Sequence, residues 1–211
     1  MLNHLSPSLL VIFFVSILFA MTIHEGVHGF VAYWLGDTTA KEHGRLTFNP
    51  LKSIDLITTI LLPLVLVLFG ALPFFAARPV PIDPRNLKYR EYGAALVGIA
   101  GPISNLLLAI LASLIFRFLI NTPSLFIQEA FFLFILTNVG LFIFNMIPFP
   151  PLDGSRLLYA FAPDGLREVM DRIESFGFIS ILIFVFLIFQ FIATPFYNLE
   201  NHILNFILNL N

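Results

Sequence analysis

Long apolar blocks recur along this chain and constrain its fold more than any other feature. Because 58% of its 211 residues are hydrophobic and only 11% are charged, a soluble core of this size cannot bury the apolar surface. A helix needs about 20 apolar residues to cross about 30 Å of hydrocarbon. Blocks of that length cover about residues 8–36, 56–76, 93–120, 126–150 and 175–197. The sequence therefore predicts an all-α polytopic membrane protein with four to five transmembrane helices.

The net charge and the absence of cysteine limit the kinds of partner and metal ligand that this chain can have. A net charge of -2, without any block of like charges, argues against nucleic acid as a partner. The chain has no cysteine, which excludes disulfides and thiolate metal sites. Any bound metal must therefore take nitrogen and oxygen ligands, and the expected surroundings of the chain are the lipid bilayer.

The second apolar block, residues 56–76, differs from the others because it contains Pro63, Gly70 and Pro73. If all five blocks cross, 7 basic residues lie on one side of the membrane and 4 on the other; if this block does not cross, the division is 10 against 1. Proline and glycine interrupt a helix, and re-entrant backbone is tolerated where protein or water satisfies its polar groups. We therefore predict four crossings with both termini outside, and a re-entrant hairpin around 56–76 that returns to the cytosolic face.

The last residues of the chain, 198–211, carry no lysine or arginine. Apolar side chains recur there at helical spacing, at Ile203, Leu204, Ile207 and Leu208. This pattern is typical of an amphipathic helix at the membrane interface, and an oligomer contact would leave the same pattern. The sequence leaves the oligomeric state open.

An H-E-x-x-H motif lies near the end of the first apolar block, at residues 24–28. Residues 9–35 contain no other His, Asp, Glu, Lys or Arg. In a helix, His24 and His28 lie one turn apart on one face and can both bind Zn²⁺. Glu25 is rotated by about 100° and is free to act as a general base on a metal-bound water. Since ionisable groups at membrane depth are costly, the motif predicts a functional zinc site.

A catalytic zinc ion usually takes three protein ligands, so a third ligand is needed. Asp153 is favoured because three prolines in residues 148–151 end the preceding helix and allow its carboxylate to turn back toward the bundle. In the four-crossing topology it also lies at the depth of His24, about 24 Å along the first span. Asp153 could instead cap the helix that follows it. The other candidates near membrane boundaries are His43, Asp55, Asp83 and Asp164.

Three separated motifs together resemble the site-2 proteases, a family of intramembrane zinc metalloproteases. They are the H-E-x-x-H motif, Gly-Pro-Ile-Ser-Asn at residues 101–105, and N-x-x-P-x-P-x-L-D-G at residues 145–154. Residues 44–50 and 78–84 are similar to the short bacterial-type branch of that family, which lacks a PDZ domain. Residues 53–58 depart from it, because relatives carry H-x-D-P-x-G there. The resemblance covers about residues 20–160 and implies a single transmembrane metalloprotease domain over residues 1–211.

The resemblance also implies a set of site residues. His24, His28 and Asp153 would bind Zn²⁺, and Glu25 would be the catalytic residue. Two asparagines, Asn105 and Asn145, would bind the substrate. From the residues alone, Asn105 could instead form an interhelical hydrogen bond, and Asn145 could cap the proline-terminated helix.

The implied activity is hydrolysis of peptide bonds within or near transmembrane helices of membrane-protein substrates, as in regulated intramembrane proteolysis. The expected location is the cell membrane of a prokaryote, with the active site toward the cytosol. Two other functions stay open. An intramembrane metal transporter or channel could use the same His and Asp cluster, although it would need polar groups across the whole bilayer. A catalytically inactive membrane binding protein would have no need of Glu25.

The predicted topology can be tested by cysteine-accessibility labelling of single cysteines introduced at residues 45 and 85. A hairpin at 56–76 places both residues on the cytosolic face, so an impermeant reagent added outside should label neither of them. Labelling of the two residues from opposite sides of the membrane would show that block 56–76 crosses.

Overall fold

The computed structural model describes residues 6–55, 59 and 77–208, and its regular elements there are helical. A 3₁₀ turn, Pro84–Asn86, precedes α4, and a π-helical turn, Phe184–Ile188, joins α8 to α9. The helices are α1 Pro7–Trp34, α2 Thr39–Glu42, α3 Pro50–Ser53, α4 Arg90–Leu119, α5 Leu125–Asn145, α6 Gly154–Phe161, α7 Asp164–Ser175, α8 Phe178–Ile183 and α9 Phe189–Leu208.

Four of these helical stretches are long and apolar enough to cross a membrane: α1, α4, α5 and the continuous stretch Ile179–Leu208. They correspond to the predicted blocks at 8–36, 93–120, 126–150 and 175–197. The predicted fold class, an all-α polytopic membrane protein, is confirmed in the part of the chain that the structure describes.

The end of the last span differs from the prediction. Residues 198–208 continue α9, so they do not form a separate interfacial helix. Leu204, Ile207 and Leu208 are buried in one apolar cluster with residues of α4 and α5. The amphipathic pattern was therefore interpreted wrongly, because its apolar side faces protein and not the membrane interface.

The ends of α1 follow from local sequence. Ser6 accepts a hydrogen bond from the backbone N–H of Leu9, and Pro7 stands at the first helical position, where its missing N–H costs nothing. The helix ends before Gly36, whose φ of 106° favours glycine. One helix thus carries the H-E-x-x-H motif 17 residues or more from its start, near the end that faces the charged loops.

The loops on either side of block 56–76 lie together at one end of the bundle. The backbone N–H of Lys88, just before α4, donates to the carbonyl of Leu35, just after α1 (2.8 Å). Closer to the block, the N–H of Arg78 donates to the carbonyl of Ser53 (2.9 Å). Arg45 reinforces this junction by donating to the Arg78 carbonyl (2.6 Å). The hairpin predicted for 56–76 itself lies outside the described residues and stays a prediction.

An extended segment, residues 77–83, runs between these junctions and is called the strap below. Its far end is held by Asp37, whose side chain is fully buried. The Asp37 carboxylate accepts hydrogen bonds from the backbone N–H of Asp83 (2.8 Å), the side-chain amide of Asn86 (3.3 Å), and the N–H and hydroxyl of Thr39. Burial raises the Asp37 pKa, but these hydrogen bonds lower it by more, so the pKa lies below its ordinary value.

Replacing Asp37 by Ala should destabilise the protein by about 1–3 kcal/mol, because buried donors from the strap and its neighbours lose their acceptor. The measurement is the thermal unfolding midpoint in detergent, together with protease sensitivity of residues 77–89. Asp164→Ala is the matched control, since that carboxylate is 99% exposed. Because the folded pKa of Asp37 is depressed, its contribution should be lost only as the pH falls through that lowered pKa. Equal behaviour of the two variants would contradict this assignment.

Candidate metal centre

Helix α1 holds the two histidines of the motif side by side on its buried face. His24 and His28 are 6% and 5% exposed. Their rings meet edge to face at a centroid distance of 4.6 Å, and the two Nε2 atoms are 3.0 Å apart. The one-turn spacing therefore directs both Nε2 atoms to one point inside the bundle.

Asp153 reaches the same point from the loop that follows α5. One of its carboxylate oxygens, Oδ2, lies 2.9 Å from His24 Nε2 and 3.3 Å from His28 Nε2. Its side chain forms no cap hydrogen bond with α6, although it stands at the cap position. The geometry thus directs this carboxylate to the histidines and not to the helix that it precedes.

Close backbone approaches place the Asp153 loop. A Cβ atom on Gly154 would lie 2.3 Å from the Met146 carbonyl oxygen, so the loop folds back on the end of α5 at a distance that only glycine allows. A Cβ atom on Gly98 of α4 would lie 2.9 Å from the Asp153 carbonyl oxygen. Two glycines therefore let the loop lie against both α5 and α4.

Each histidine has its second ring nitrogen bound to an acceptor. His24 Nδ1 lies 2.6 Å from Asn105 Oδ1, and His28 Nδ1 lies 2.7 Å from the carbonyl oxygen of Val97. In the neutral imidazoles, each Nδ1 carries the proton that makes this bond, so each Nε2 presents a lone pair. Such outer hydrogen bonds are typical of histidines that bind a metal.

The donor set fits a metal ion. Two Nε2 lone pairs and a carboxylate oxygen converge at 2.9–3.3 Å and would repel one another without a cation between them. A tetrahedral zinc ion with ligands at about 2.0–2.1 Å holds its ligand atoms about 3.3 Å apart, close to these distances. Among the described residues, His24, His28 and Asp153 are the group of His, Asp and Glu side chains that could hold a metal ion.

Gly101 of α4 keeps the space in front of these atoms open. A Cβ atom at this position would lie 2.3 Å from His28 Nε2 and 2.6 Å from His24 Nε2, which is closer than any side-chain contact allows. Gly101 belongs to the Gly-Pro-Ile-Ser-Asn motif, and no role at the metal site was predicted for it. Its position directly before Pro102, inside an apolar block, was the sequence signal for such a role.

Glu25 lies beside the histidines and is half-buried. Its Oε2 atom accepts a hydrogen bond from the backbone N–H of Val80 in the strap (2.9 Å). Glu25, His28 and Asp153 line one cavity of about 230 Å³, closed on the other side by strap residues and α4. The residue predicted to be the base and two of the predicted ligands therefore face one space.

The two asparagines lie in different places. Asn105 is fully buried and faces His24, the Ala20 carbonyl and Asn138. Asn145 is half-buried, and its amide donates to the Leu141 carbonyl one turn earlier in α5 (3.0 Å). Neither is among the residues that line the Glu25 cavity. The substrate contacts predicted for both residues stay predictions.

The other ligand candidates, His43, Asp55, Asp83 and Asp164, do not belong to this cluster. Asp83 pairs with Arg85 (2.7 Å), His43 Nδ1 bonds the Thr39 carbonyl, and Asp164 is exposed. Asn138 and the Val80 N–H were missed by the sequence analysis. An asparagine in the middle of a largely apolar span is itself a signal for Asn138, whereas a backbone N–H has no sequence signal.

These features define a class: a polytopic membrane protein with a buried His₂Asp site beside a glutamate. Comparison with known proteins agrees. The chain is 38% identical over 176 residues to "Putative zinc metalloprotease YwhC" of Bacillus subtilis, which covers 80% of this chain and 77% of that protein. The chain belongs to the site-2 protease family of zinc metalloproteases, which confirms the resemblance drawn from its motifs.

More distant relatives carry a similar name. The identity is 28% over 167 residues to "Putative zinc metalloprotease Rip2" of Mycolicibacterium smegmatis and 26% over 168 residues to the protein of that name in Mycobacterium tuberculosis. Each comparison covers 79% of this chain and 63% of the relative, so the chain spans less than two thirds of the Rip2 proteins. No protein-family model matches the chain, and no solved structure matches it at a significant level.

Replacing Gly101 by Ala should abolish stable metal binding, because the added methyl group occupies the space in front of both Nε2 atoms. Metal per chain can be measured by elemental analysis of the detergent-purified protein. Gly165→Ala is the matched control, since a Cβ atom there meets nothing within 4 Å. A folded Gly101→Ala variant with as much metal as the wild type would contradict the proposed position of the ion.

Proposed function

We propose that this protein is an intramembrane zinc metalloprotease that hydrolyses peptide bonds within or near transmembrane helices of membrane-protein substrates. The observation that carries the proposal is the convergence of His24, His28 and Asp153 at one point, with Glu25 lining the same cavity. The relatives are named as metalloproteases, which favours this function over a metal transporter or an inactive binding protein.

In this proposal His24, His28 and Asp153 hold the zinc ion. When bound, zinc supplies a Lewis acid that polarises a carbonyl and makes a water molecule more acidic. The protein contributes a site that is already formed: three ligand atoms at 2.9–3.3 Å, and two histidines oriented by hydrogen bonds on their Nδ1 atoms.

Glu25 is the proposed general base and acid. The Val80 N–H holds Oε2, which fixes the carboxylate and leaves Oε1 to take a proton from the attacking water. The same group can then deliver that proton to the leaving amine. Since Glu25 is on α1 next to His24, the helix itself sets the distance between the base and the ligands.

Water must reach a site inside the bundle. The cavity at Glu25 shares Pro84, Ala94 and Arg156 with a second cavity of about 340 Å³. That second cavity is lined by charged and polar residues of the loop end, among them Arg85, Arg90, Glu91, Tyr159 and Asp171. The two cavities together offer a polar route from the aqueous phase to the site.

The loop end of the bundle is the proposed cytosolic side of a prokaryotic cell membrane. Ten of the 11 basic residues lie at this end: nine belong to loops and short helices, and Arg90 is the first residue of α4. Arg117 lies near the other end of α4. The positive-inside rule assigns the basic end to the cytosol. The strap crosses the site on this side, so we assign it the role of the edge past which a substrate strand enters.

The central test compares Glu25→Gln with Asp153→Ala. Glu25→Gln should keep its zinc and lose cleavage by at least about 10²-fold, because only the proton acceptor is removed. Asp153→Ala should lose both zinc and cleavage, because a ligand is removed. Zinc is measured by elemental analysis, and cleavage of single-span reporter proteins in proteoliposomes by gel electrophoresis and mass spectrometry.

Asp164→Ala serves as the control for both variants, since its carboxylate is exposed and does not belong to the cluster. Loss of zinc in Glu25→Gln would identify Glu25 as a ligand. Full cleavage by Glu25→Gln would place the general base elsewhere. Absence of zinc from the folded wild-type protein would remove the basis of the proposed function.

A further inference from the structure

Three polar side chains from three different helices meet inside the apolar bundle: His24 of α1, Asn105 of α4 and Asn138 of α5. Asn105 and Asn138 are both fully buried. Asn105 Oδ1 lies 2.6 Å from His24 Nδ1, and Asn105 Nδ2 lies 3.1 Å from Asn138 Oδ1. Asn138 Nδ2 in turn donates to the carbonyl of Phe134 (2.9 Å). The chain of hydrogen bonds thus starts at a backbone carbonyl and ends at a candidate metal ligand.

Donor and acceptor are determined for each hydrogen bond that links Phe134, Asn138, Asn105 and His24. A carboxamide has one end that donates and one that accepts, and a backbone carbonyl can only accept. The Phe134 carbonyl therefore requires the nitrogen of Asn138, which directs Asn138 Oδ1 toward Asn105. Asn105 must therefore donate to this oxygen from its own Nδ2, which also donates to the Ala20 carbonyl (3.3 Å). Its oxygen is then left to face His24.

The hydrogen bond between Asn105 and His24 determines which ring nitrogen of His24 carries the proton. Since Asn105 Oδ1 can only accept, His24 must carry its proton on Nδ1. In the neutral ring the lone pair is then on Nε2, the atom that faces His28 and Asp153. The other tautomer would place two acceptors against each other at 2.6 Å in an interior that offers no alternative partner.

The same bonds involve both polar atoms of the Asn105 side chain. Both of its N–H groups and its oxygen have partners within the protein, and the side chain has no exposed surface. In this structure Asn105 is thus engaged with α1 and α5, and the substrate contact predicted for it stays a prediction.

We propose that Asn138 is a positioning residue of the zinc site: through Asn105 it holds His24 in the Nδ1-protonated tautomer, with Nε2 directed at the metal. The side-chain hydrogen bonds of Asn138 go to Asn105 and to the Phe134 carbonyl, and it does not line the cavity at Glu25, so it acts through Asn105. The inference rests on the proposed function, because it takes the His₂Asp cluster to be a zinc site.

The first test measures zinc affinity by competition with a fluorescent chelator. Asn138→Leu keeps the side-chain size and removes both hydrogen bonds, and it should weaken zinc binding by about 10–100-fold, as is typical when an outer-shell partner is lost. Asn138→Asp keeps an acceptor toward Asn105 and should bind zinc more tightly than Asn138→Leu. Thr137→Val is the matched control and should match the wild type, because the buried hydroxyl of this neighbouring residue has no hydrogen-bond partner in the part of the chain that the structure describes.

A double variant separates positioning from general packing. If Asn138 acts through Asn105, then Asn105→Leu combined with Asn138→Leu should bind zinc no more weakly than Asn105→Leu alone. Independent losses that multiply in the double variant would mean that Asn138 has a packing role only, and would overturn the proposal.

The second readout does not need zinc. In the metal-free protein labelled with ¹⁵N-histidine, the ¹⁵N shifts of His24 report which ring nitrogen carries the proton. The wild type and Asn138→Asp should show Nδ1–H, whereas Asn138→Leu should show a mixture of tautomers. Unchanged shifts together with unchanged zinc affinity in Asn138→Leu would overturn the inference and leave the proposed function intact. A wild type that shows Nδ1–H but binds no zinc would instead refute the proposed function.

Discussion

Hydrocarbon offers no hydrogen-bond partner, and this constraint shapes the interior of the bundle. Three buried polar side chains of α1, α4 and α5 are therefore bonded to one another and to backbone carbonyls: His24, Asn105 and Asn138. Three helices are tied together by these bonds at one depth. The two histidine Nε2 atoms and the Asp153 carboxylate are the groups left facing each other, and a cation resolves their repulsion.

Small residues let this polar centre form. Gly101 leaves room in front of the histidines, and Gly98 and Gly154 let the Asp153 loop lie against α4 and α5. These glycines contribute no chemical group, yet each stands where an added methyl would meet a ligand atom or a backbone oxygen at less than 3 Å. The site is thus defined by absent side chains as much as by present ones.

Around this centre, the loop end of the bundle is built by backbone contacts. The Asp37 carboxylate and the Arg45 guanidinium hold the two ends of the strap, and the strap supplies the Val80 N–H that orients Glu25. The strap binds Glu25 through Val80 and Asp37 through Asp83, so the position of Glu25 depends on the loops and not only on α1.

Several features could be read from the sequence because their causes are local. Apolar blocks of sufficient length predict spans, and a four-residue spacing places His24 and His28 on one face of a helix. The amphipathic pattern at 198–208 was misread, since an apolar side facing α4 and α5 has the same period as one facing lipid. The pairing of Asp153 with His24 was expected from the motifs, and the structure places the two side chains 2.9 Å apart. The tertiary structure alone decided two other contacts between residues far apart in the chain: Asn138 behind Asn105, and Val80 against Glu25. Such contacts depend on how helices and loops pack, and the local sequence around one residue does not indicate its distant partner.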